Sequence, residues 1–372
     1  MLQNGSKIGF AKSDSLLGSA PMQEEDFMRL ALDQARQGRT SPNPRVGAVI
    51  TQEGTLLSAG YHRGAGLPHA EIEALRALPD PALARGATLY VTLEPCSTHG
   101  RTPPCVDAIL KAGLRRVVVG TIDPNPAHAG RGLELLRAAG VEVSCGVLEP
   151  ECRALNPEFN HWIVHRTPWV IAKSGLSLDG RITRPLGEGQ WLTSEASRAD
   201  AMLLRDRVDA VLIGANTLRA DNPRLTVRNP DGSVSERQPW RVVLAGSQPL
   251  PPDAHLFTDA FRDKTLVFTR LTLAEVLRQL GERQITSVLI EGGSRVLGEA
   301  FDQRLVHEVC FYFAPLLCGG PDLAVGGLGV ASTPSAPILR NPDYRRIGDD
   351  LRCSGTVEYP AESLAAPGGP AS

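Results

Sequence analysis

Five short apolar, β-branched runs (VGAVIT, LLSAGYH, ATLYVTL, RRVVVGTI and VEVSCGVL) alternate with stretches of helical spacing near 69–78, 103–112 and 131–139. An amphipathic segment from Glu24 to Gly38 precedes them, with Phe27, Leu30, Ala31 and Ala35 on one face. The order α-β-β-α-β-α-β-α-β predicts a three-layer α/β domain with a mostly parallel sheet, because strands running the same way need a crossover between them. A helix over 151–166 closes this unit, and Thr167-Pro168 punctuates it. A second α/β series follows: WVIAKSGLSLDGRI, a helix near 194–206, DAVLIGANT, RVVLAG, TLVFT, a helix near 271–281, SVLIEGG, a helix near 294–302 and HEVCFYFAPLLCG. The expected domains are 23–166 and 167–360, between flexible tails at 1–22 and 361–372.

Two domains also suit 372 residues, too many for one ordinary core. A net charge of -2 gives no general pull toward nucleic acid or membrane, so an anionic substrate must be held by local arginines. Seven cysteines are too few, and odd in number, for a disulfide framework, which points to a reducing cytoplasm and to buried, metal-binding or nucleophilic thiols. No apolar run has the length of a signal peptide or a membrane span.

Parallel sheets bind ligands at the carboxyl ends of their strands, and LYVTLEPC delivers Cys96 to such an end. Within VTLEPCSTHGRTPPC a second thiol, Cys105, follows eight intervening residues later, and PHAEIEAL places His69 and Glu71 at a helix start. His69, Cys96 and Cys105 form the three-ligand set of a catalytic zinc site, whose fourth position is left to water. Glu71 stands beside the metal as a proton carrier, the arrangement of zinc nucleobase deaminases. Two other readings stay open at this point. The cysteines can be buried small hydrophobes, or the zinc a structural staple with His99 as a rival ligand.

In the second half no G-x-G-x-x-G marks a strand-to-helix junction, which argues against an ordinary Rossmann domain. Instead SVLIEGGSRVLGEAF runs through Gly292 and Gly293 into a helix, a turn that lets backbone amides approach a pyrophosphate.

SPNPRVGAVI, HAEIEAL, VTLEPCSTHGRTPPC, DPNPAHAGRG, SLDGRI, QWLTS, ADNPRLTVR and LIEGG together resemble the bifunctional riboflavin-biosynthesis deaminase and reductase family of bacteria, over roughly residues 24 to 358. The resemblance implies a cytidine-deaminase-like domain followed by a dihydrofolate-reductase-like one. It implies zinc-dependent deamination of 2,5-diamino-6-ribosylamino-4(3H)-pyrimidinone 5′-phosphate, then NADPH-dependent reduction of the ribosylamino group to ribitylamino. A deaminase acting on a nucleoside or RNA base is the competing function, and it would be expected to show a basic surface.

By the resemblance, Asn43, His62, Arg101 and Asn125 hold the deaminase substrate. Gly175, Trp191, Thr217, Asp221 and the turn of Gly293, Ser294, Arg295, Val296, Leu297, Gly298 and Glu299 contact the nicotinamide cofactor. Lys173, Gly189, Arg205, Leu225, Arg228 and Glu291 form the reductase substrate set, with Asp179 helping to order the ribose end. Thr98 and Gly189 depart from the usual histidine and serine of the family, and Gly246 stands where a relative carries serine. The implied partners are small phosphoribosyl pyrimidines and further copies of the chain, with no nucleic acid and no membrane. The residue that meets the cofactor 2′-phosphate is not identifiable from spacing.

Overall fold

The computed structural model describes residues 22–98, 103–182 and 191–360. The first half contains α1 (Glu24–Ala35), β1 (Gly47–Gln52), β2 (Thr55–Tyr61), α2 (Ala70–Arg76), β3 (Thr88–Leu93), α3 (Cys105–Ala112), β4 (Arg116–Thr121), α4 (Arg131–Ala138) and β5 (Glu142–Cys145). The strands form one sheet in the order β2-β1-β3-β4-β5. β3, β4 and β5 run parallel, whereas β1 is antiparallel to both neighbours. Four of the five strands thus run the same way, as a mostly parallel sheet requires, and β1 alone is reversed. The cause is the two-residue link Glu53-Gly54, with φ of 48° and 77°. Two positive φ values build the tight hairpin turn whose twist matches that of its strands.

Period-2 alternation divides the strands between two cores. Ala48, Ile50, Leu89, Val91, Val117 and Val119 meet Ala70, Ala74, Val106, Ile109, Leu133 and Leu136 from α2, α3 and α4. Val49, Tyr90 and Val118 face Phe27, Met28, Ala31 and Leu32 of α1 on the other side. Because β1 runs against β3, the start of β1 and the ends of β2 and β3 share one edge.

The expected helix over 151–166 is two helices, α5 (Glu149–Ala154) and α6 (Pro157–His165). Pro157 cannot donate to a preceding turn and so starts a helix rather than continuing one. At the break, Asn156 accepts from the Arg45 N–H at 2.7 Å and donates to the Arg45 carbonyl at 2.8 Å, strapping the junction to the segment before β1.

The second half contains β6 (Trp169–Ser177), α7 (Glu195–Arg207), β7 (Ala210–Gly214), α8 (Ala215–Asp221), β8 (Trp240–Ala245), α9 (His255–Thr258), β9 (Thr265–Thr269), α10 (Leu273–Glu282), β10 (Ser287–Ile290), α11 (Ser294–Asp302), β11 (Glu308–Ala314), β12 (Ile338–Ile347) and β13 (Asp350–Glu358). The sheet order is β12-β13-β11-β6-β10-β7-β8-β9. β11, β6, β10, β7, β8 and β9 run parallel, and the antiparallel hairpin β12-β13 extends one side. Two features depart from the sequence reading. DAVLIGANT is strand only to Gly214, after which α8 begins. The β12-β13 hairpin was not anticipated, because β12 is largely exposed, contains Pro342 and shifts register between Arg340 and Asp343, so it lacks the apolar alternation of a half-buried strand.

The halves meet through α6 and the strand starts of the second sheet. Trp162 Nε1 donates to the Gly281 carbonyl at 2.9 Å, and an added Cβ at Gly281 would lie 1.9 Å from the Arg166 carbonyl oxygen, so only glycine allows this approach. Arg207 of α7 bridges Glu158 of α6 and Glu308 of β11 at 2.9 and 2.8 Å. Asp209 accepts from the Thr286 N–H and hydroxyl and from the Ser41 hydroxyl, at 2.7 to 2.8 Å.

Beside this seam three histidine rings gather. His161 lies 4.1 Å from His307 and 4.7 Å from His165, and Trp169 stacks on His307 at 4.7 Å. His307 Nδ1 accepts from the Val170 N–H at 3.0 Å. Burial, reinforced by neighbouring histidines, holds His161 down to about 4 and His307 down to about 3. Both are neutral in the folded chain while the unfolded chain binds protons near 6.5, so stability is full above 6.5 and is lost as pH falls toward 4. Urea unfolding is expected to show a loss on the order of 2 kcal/mol between pH 7 and pH 5, at about 1.4 kcal/mol per unit of pKa difference and discounted for the partly exposed His161. His307→Asn, which keeps an acceptor for Val170 but does not titrate, is expected to make that loss visibly smaller; an unchanged slope would contradict the assignment.

Candidate active sites

The first site sits at the shared edge of the five-stranded sheet. His69 is the N-cap of α2 with φ of −74° and ψ of 165°, and Glu71 is the second residue of that helix, 3% exposed. Cys96 follows the end of β3, and Pro104 caps α3 so that Cys105 is its first residue. His69 Nδ1 is 3.2 Å from Cys105 Sγ and 3.5 Å from Cys96 Sγ, and all three donor atoms lie within 4.8 Å of one another. A tetrahedral zinc ion with bonds of about 2.0 Å to nitrogen and about 2.3 Å to sulfur sets its donors about 3.5 Å apart, so the residues fit that ion.

The electrostatics favour a cation. The Cys105 thiol, donating to Cys96, leads the forces that bring Cys96 down to about 4, with His69 helping. The same contact, with burial, pushes Cys105 up, so the pair gives its first proton from Cys96. The Cys105 N–H also donates to Cys96 Sγ at 3.3 Å. His69 is raised, chiefly by its bond to Cys96. Burial pushes Glu71 up to about 7, with the Cys96 charge adding to it and His69 opposing.

A cavity of about 330 Å³ opens onto His69, Glu71 and Cys96. Asn43, His62, Asn125 and Thr98 line it, as the sequence reading expects of the first three. His62 is buried, which lowers its pKa; its Nδ1 donates to the Pro68 carbonyl at 3.0 Å, leaving Nε2 to accept from Asn43 Nδ2 at 3.1 Å. Asn43 therefore presents its oxygen to a ligand. Asn125 Oδ1 accepts from the Ala127 N–H, so its NH₂ group faces the cavity free of that turn. His128, which sequence reasoning passed over, lines the same wall with Nδ1 buried and unpartnered among the described residues. Arg101 and His99 lie outside the described residues.

Two further contributors were not singled out from the sequence. Glu94, 4% exposed, accepts from the N–H groups of Asp123, Gly130 and Gly132 at 3.2, 2.8 and 2.8 Å. One carboxylate thus fixes the loop that carries Asn125 and His128; its presence in LEPC was the only available signal. The other is Gln284, which reaches the cavity from the second half beside Phe159 and Ile163 of α6.

The second site is a cleft of about 1540 Å³ along the carboxyl edge of the larger sheet. Glu291, just past β10, receives a two-pronged contact from Arg205 at 2.6 and 2.9 Å and faces Lys173 Nζ at 3.6 Å. Burial alone would raise Glu291, but these two cations hold it down to about 2. Arg205 also donates to the Thr226 carbonyl, so its guanidinium is committed. Arg228 has no side-chain partner among the described residues and lines the cleft with Leu225, whose φ is 52°. Gly175, Thr217 and Asp221 line it too, and Trp191 is 55% exposed with Arg198 over its ring at 5.5 Å. Gly293 is the N-cap of α11, and an added Cβ at Gly292 would meet Val296 at 2.9 Å, so this turn stays slim and its first amides face the cleft.

Ser294, Arg295, Val296 and Glu299 line the cleft, but Leu297 and Gly298 do not. Leu297 is fully buried in the core, and an added Cβ at Gly298 would lie 2.4 Å from the 326–327 backbone, because that face of α11 turns inward. Asp179 also lies away from the cleft: it accepts from the Ser177 hydroxyl and the N–H groups of Cys318 and Gly319, which pulls its pKa well down. Gly189 lies outside the described residues. Gly246 lines the cleft with open space where a side chain would be.

Residues 21–121 match the cytidine and deoxycytidylate deaminase zinc-binding region, and residues 168–352 match the RibD C-terminal domain. The riboflavin biosynthesis protein RibD of Aquifex aeolicus is 38% identical over 350 residues, covering 88% of this chain and 97% of that protein. Its Escherichia coli counterpart is 38% identical over 364 residues, covering 89% and 98%. Among solved structures, Acinetobacter baumannii RibD aligns with a TM-score of 0.81 at 33% identity, covering 90% of this chain and 99% of that one. A Thermotoga maritima diaminohydroxyphosphoribosylaminopyrimidine deaminase and 5-amino-6-(5-phosphoribosylamino)uracil reductase aligns with a TM-score of 0.80 at 35% identity, covering 90% and 98%.

Glu94→Gln replaces one acceptor oxygen with a donor facing N–H groups. Amide exchange across 123–132 is expected to quicken about tenfold or more, as loss of a hydrogen bond to a charged group worth roughly 1.5 to 3 kcal/mol predicts. Zinc stoichiometry should hold; unchanged exchange would show that the loop has another anchor.

Proposed function

The chain belongs to the RibD family of riboflavin-biosynthesis proteins, and from that premise we propose that its two cavities act in turn on one phosphoribosyl pyrimidine. The first half deaminates 2,5-diamino-6-ribosylamino-4(3H)-pyrimidinone 5′-phosphate by hydrolysis. The second reduces the ribosylamino group with NADPH, giving 5-amino-6-ribitylamino-uracil 5′-phosphate. The observation that carries this reading is the buried Glu71 beside a three-donor metal set at the wall of a pocket, on a chain whose other half holds a dinucleotide-sized cleft.

In the deaminase, His69, Cys96 and Cys105 would hold zinc, which when bound activates water at neutral pH. Glu71 takes up a proton in the pocket, delivers it to the pyrimidine ring nitrogen, and serves again as the amino group leaves as ammonia. Burial, the largest influence on its carboxyl, raises Glu71 above the usual carboxylate range, as suits a group that must both accept and give a proton. Asn43, fixed through His62, and Asn125, fixed through Glu94, orient the ring and ribose. Arg101 is assigned to the phosphate on the strength of the family resemblance.

In the reductase, NADPH supplies the hydride, and the chain supplies placement. Glu291 stays ionised and positions Arg205 and Lys173 at the reacting end, next to Gly175 and Trp191. Arg228, without a partner among the described residues, is free to meet the substrate phosphate. All seven cysteines are free, which supports a reducing, cytoplasmic setting. Exposed Leu317 and Leu328, at 81% and 95%, support self-association. No helix among the described residues is long and apolar enough to cross a membrane.

Glu71→Gln keeps the size of the side chain and removes its proton carrier. Ammonia release is expected to fall by about 10² to 10⁴, with zinc content and NADPH oxidation on pre-deaminated substrate retained. Removing zinc by chelation should likewise abolish only the first reaction. Full deamination by Glu71→Gln would sink the mechanism.

A further inference from the structure

The reductase cleft follows the carboxyl ends of β6, β10, β7, β8 and β9, which lie side by side and parallel in that order. At about 4.8 Å per strand the walk from β6 to β9 covers about 19 Å, room for a dinucleotide laid out along the edge. The inference that follows rests on the reading that NADPH occupies this cleft. With the nicotinamide near Gly175 and Trp191, and the pyrophosphate at the start of α11 beyond β10, the adenosine falls at the ends of β8 and β9. The cleft there is walled by Gly246, Ser247 and Arg270.

Most arginines of the cleft are already engaged or stand elsewhere. Arg205 is bound to Glu291, Arg219 to the Gln248 and Pro249 carbonyls, and Arg198 to the Thr193 carbonyl. Arg228 lies near the Arg205 and Thr226 end, and Arg295 in the first turn of α11. Arg224 has the Asp259 carboxylate within electrostatic reach. Arg270 differs from all of these. It follows directly on β9, its N–H donates to the Ala245 carbonyl at the end of β8 at 3.1 Å, and its φ of 58° turns the chain out of the strand. Its guanidinium is exposed and has no acceptor among the described residues. The nearby carboxylates are taken: Glu299 accepts from the Leu273 N–H and Gln303, and Glu275 from Thr272.

We propose that Arg270, with the Ser247 hydroxyl on the neighbouring strand end, binds the 2′-phosphate of NADPH and sets the preference for NADPH over NADH. A phosphate at this position receives the planar, two-pronged contact for which guanidinium is suited, and NADH offers only a neutral hydroxyl there.

Calorimetric titration of the full chain tests this with NADPH, NADH, 2′,5′-ADP and 5′-AMP at fixed ionic strength. For Arg270→Ala the affinities for NADPH and 2′,5′-ADP are expected to fall at least tenfold, while those for NADH and 5′-AMP stay within about twofold. Arg224→Ala should leave the NADPH to NADH ratio unchanged. If Arg270→Ala weakens NADPH and NADH equally, or neither, the assignment is wrong; if Arg224→Ala collapses the ratio instead, the phosphate lies there and the assignment is again wrong. A wild-type chain that bound no nicotinamide nucleotide would overturn both this assignment and the reductase reading beneath it, whereas NADPH preference surviving in Arg270→Ala would overturn the assignment alone.

Discussion

Withdrawing a carboxylate from water raises its pKa unless cations stand beside it, and the two halves of this chain use the two outcomes. Glu71 is buried against a thiolate and rises to about 7, so it can carry a proton. Glu291 is also withdrawn from water but lies between Arg205 and Lys173, and it stays charged at about 2. In the proposed function the first arrangement serves a reaction that moves protons, and the second holds cations in place for a reaction in which the cofactor provides the chemistry.

Both carboxylates reach their positions through the same backbone device. A strand ends, the chain turns, and a helix begins. Glu71 lies in the first turn of α2, behind Pro68 and the N-cap His69, and Glu291 lies between the end of β10 and Gly293, the N-cap of α11. In the first domain the antiparallel β1 adds a contribution that a wholly parallel sheet would lack. Its reversed direction brings Asn43 and His62 to the edge that already holds Cys96.

The sequence made the element order of the first domain legible, because its strands are apolar and its helices amphipathic. It also made the metal set legible, since His69, Glu71, Cys96 and Cys105 carry distinctive chemistry at element ends. Features that depend on contact across long sequence separations were not visible. Glu94 looks like part of a motif for Cys96, yet its role is to gather amides from residues 123–132. Leu297 and Gly298 sit within the stretch that the family resemblance assigns to the cofactor, but helical periodicity turns them toward the core. Arg270 follows an ordinary apolar strand, and only the strand order reveals that it stands at the far end of the cleft. The exposed β12-β13 hairpin had no hydrophobic pattern to announce it.

One residue in the wall of the first cavity is borrowed. Beside Phe159 and Ile163 of α6, Gln284 comes from the opposite half, and the Trp162–Gly281 contact ties α6 to that half. A gene split at the punctuating Thr167-Pro168 would yield a fragment that keeps every metal ligand yet lacks part of its enclosure, admitting solvent toward Glu71. Physical fusion of the two enzymes therefore does more than hold successive catalysts together: it supplies part of the wall of the pocket in which the earlier one works.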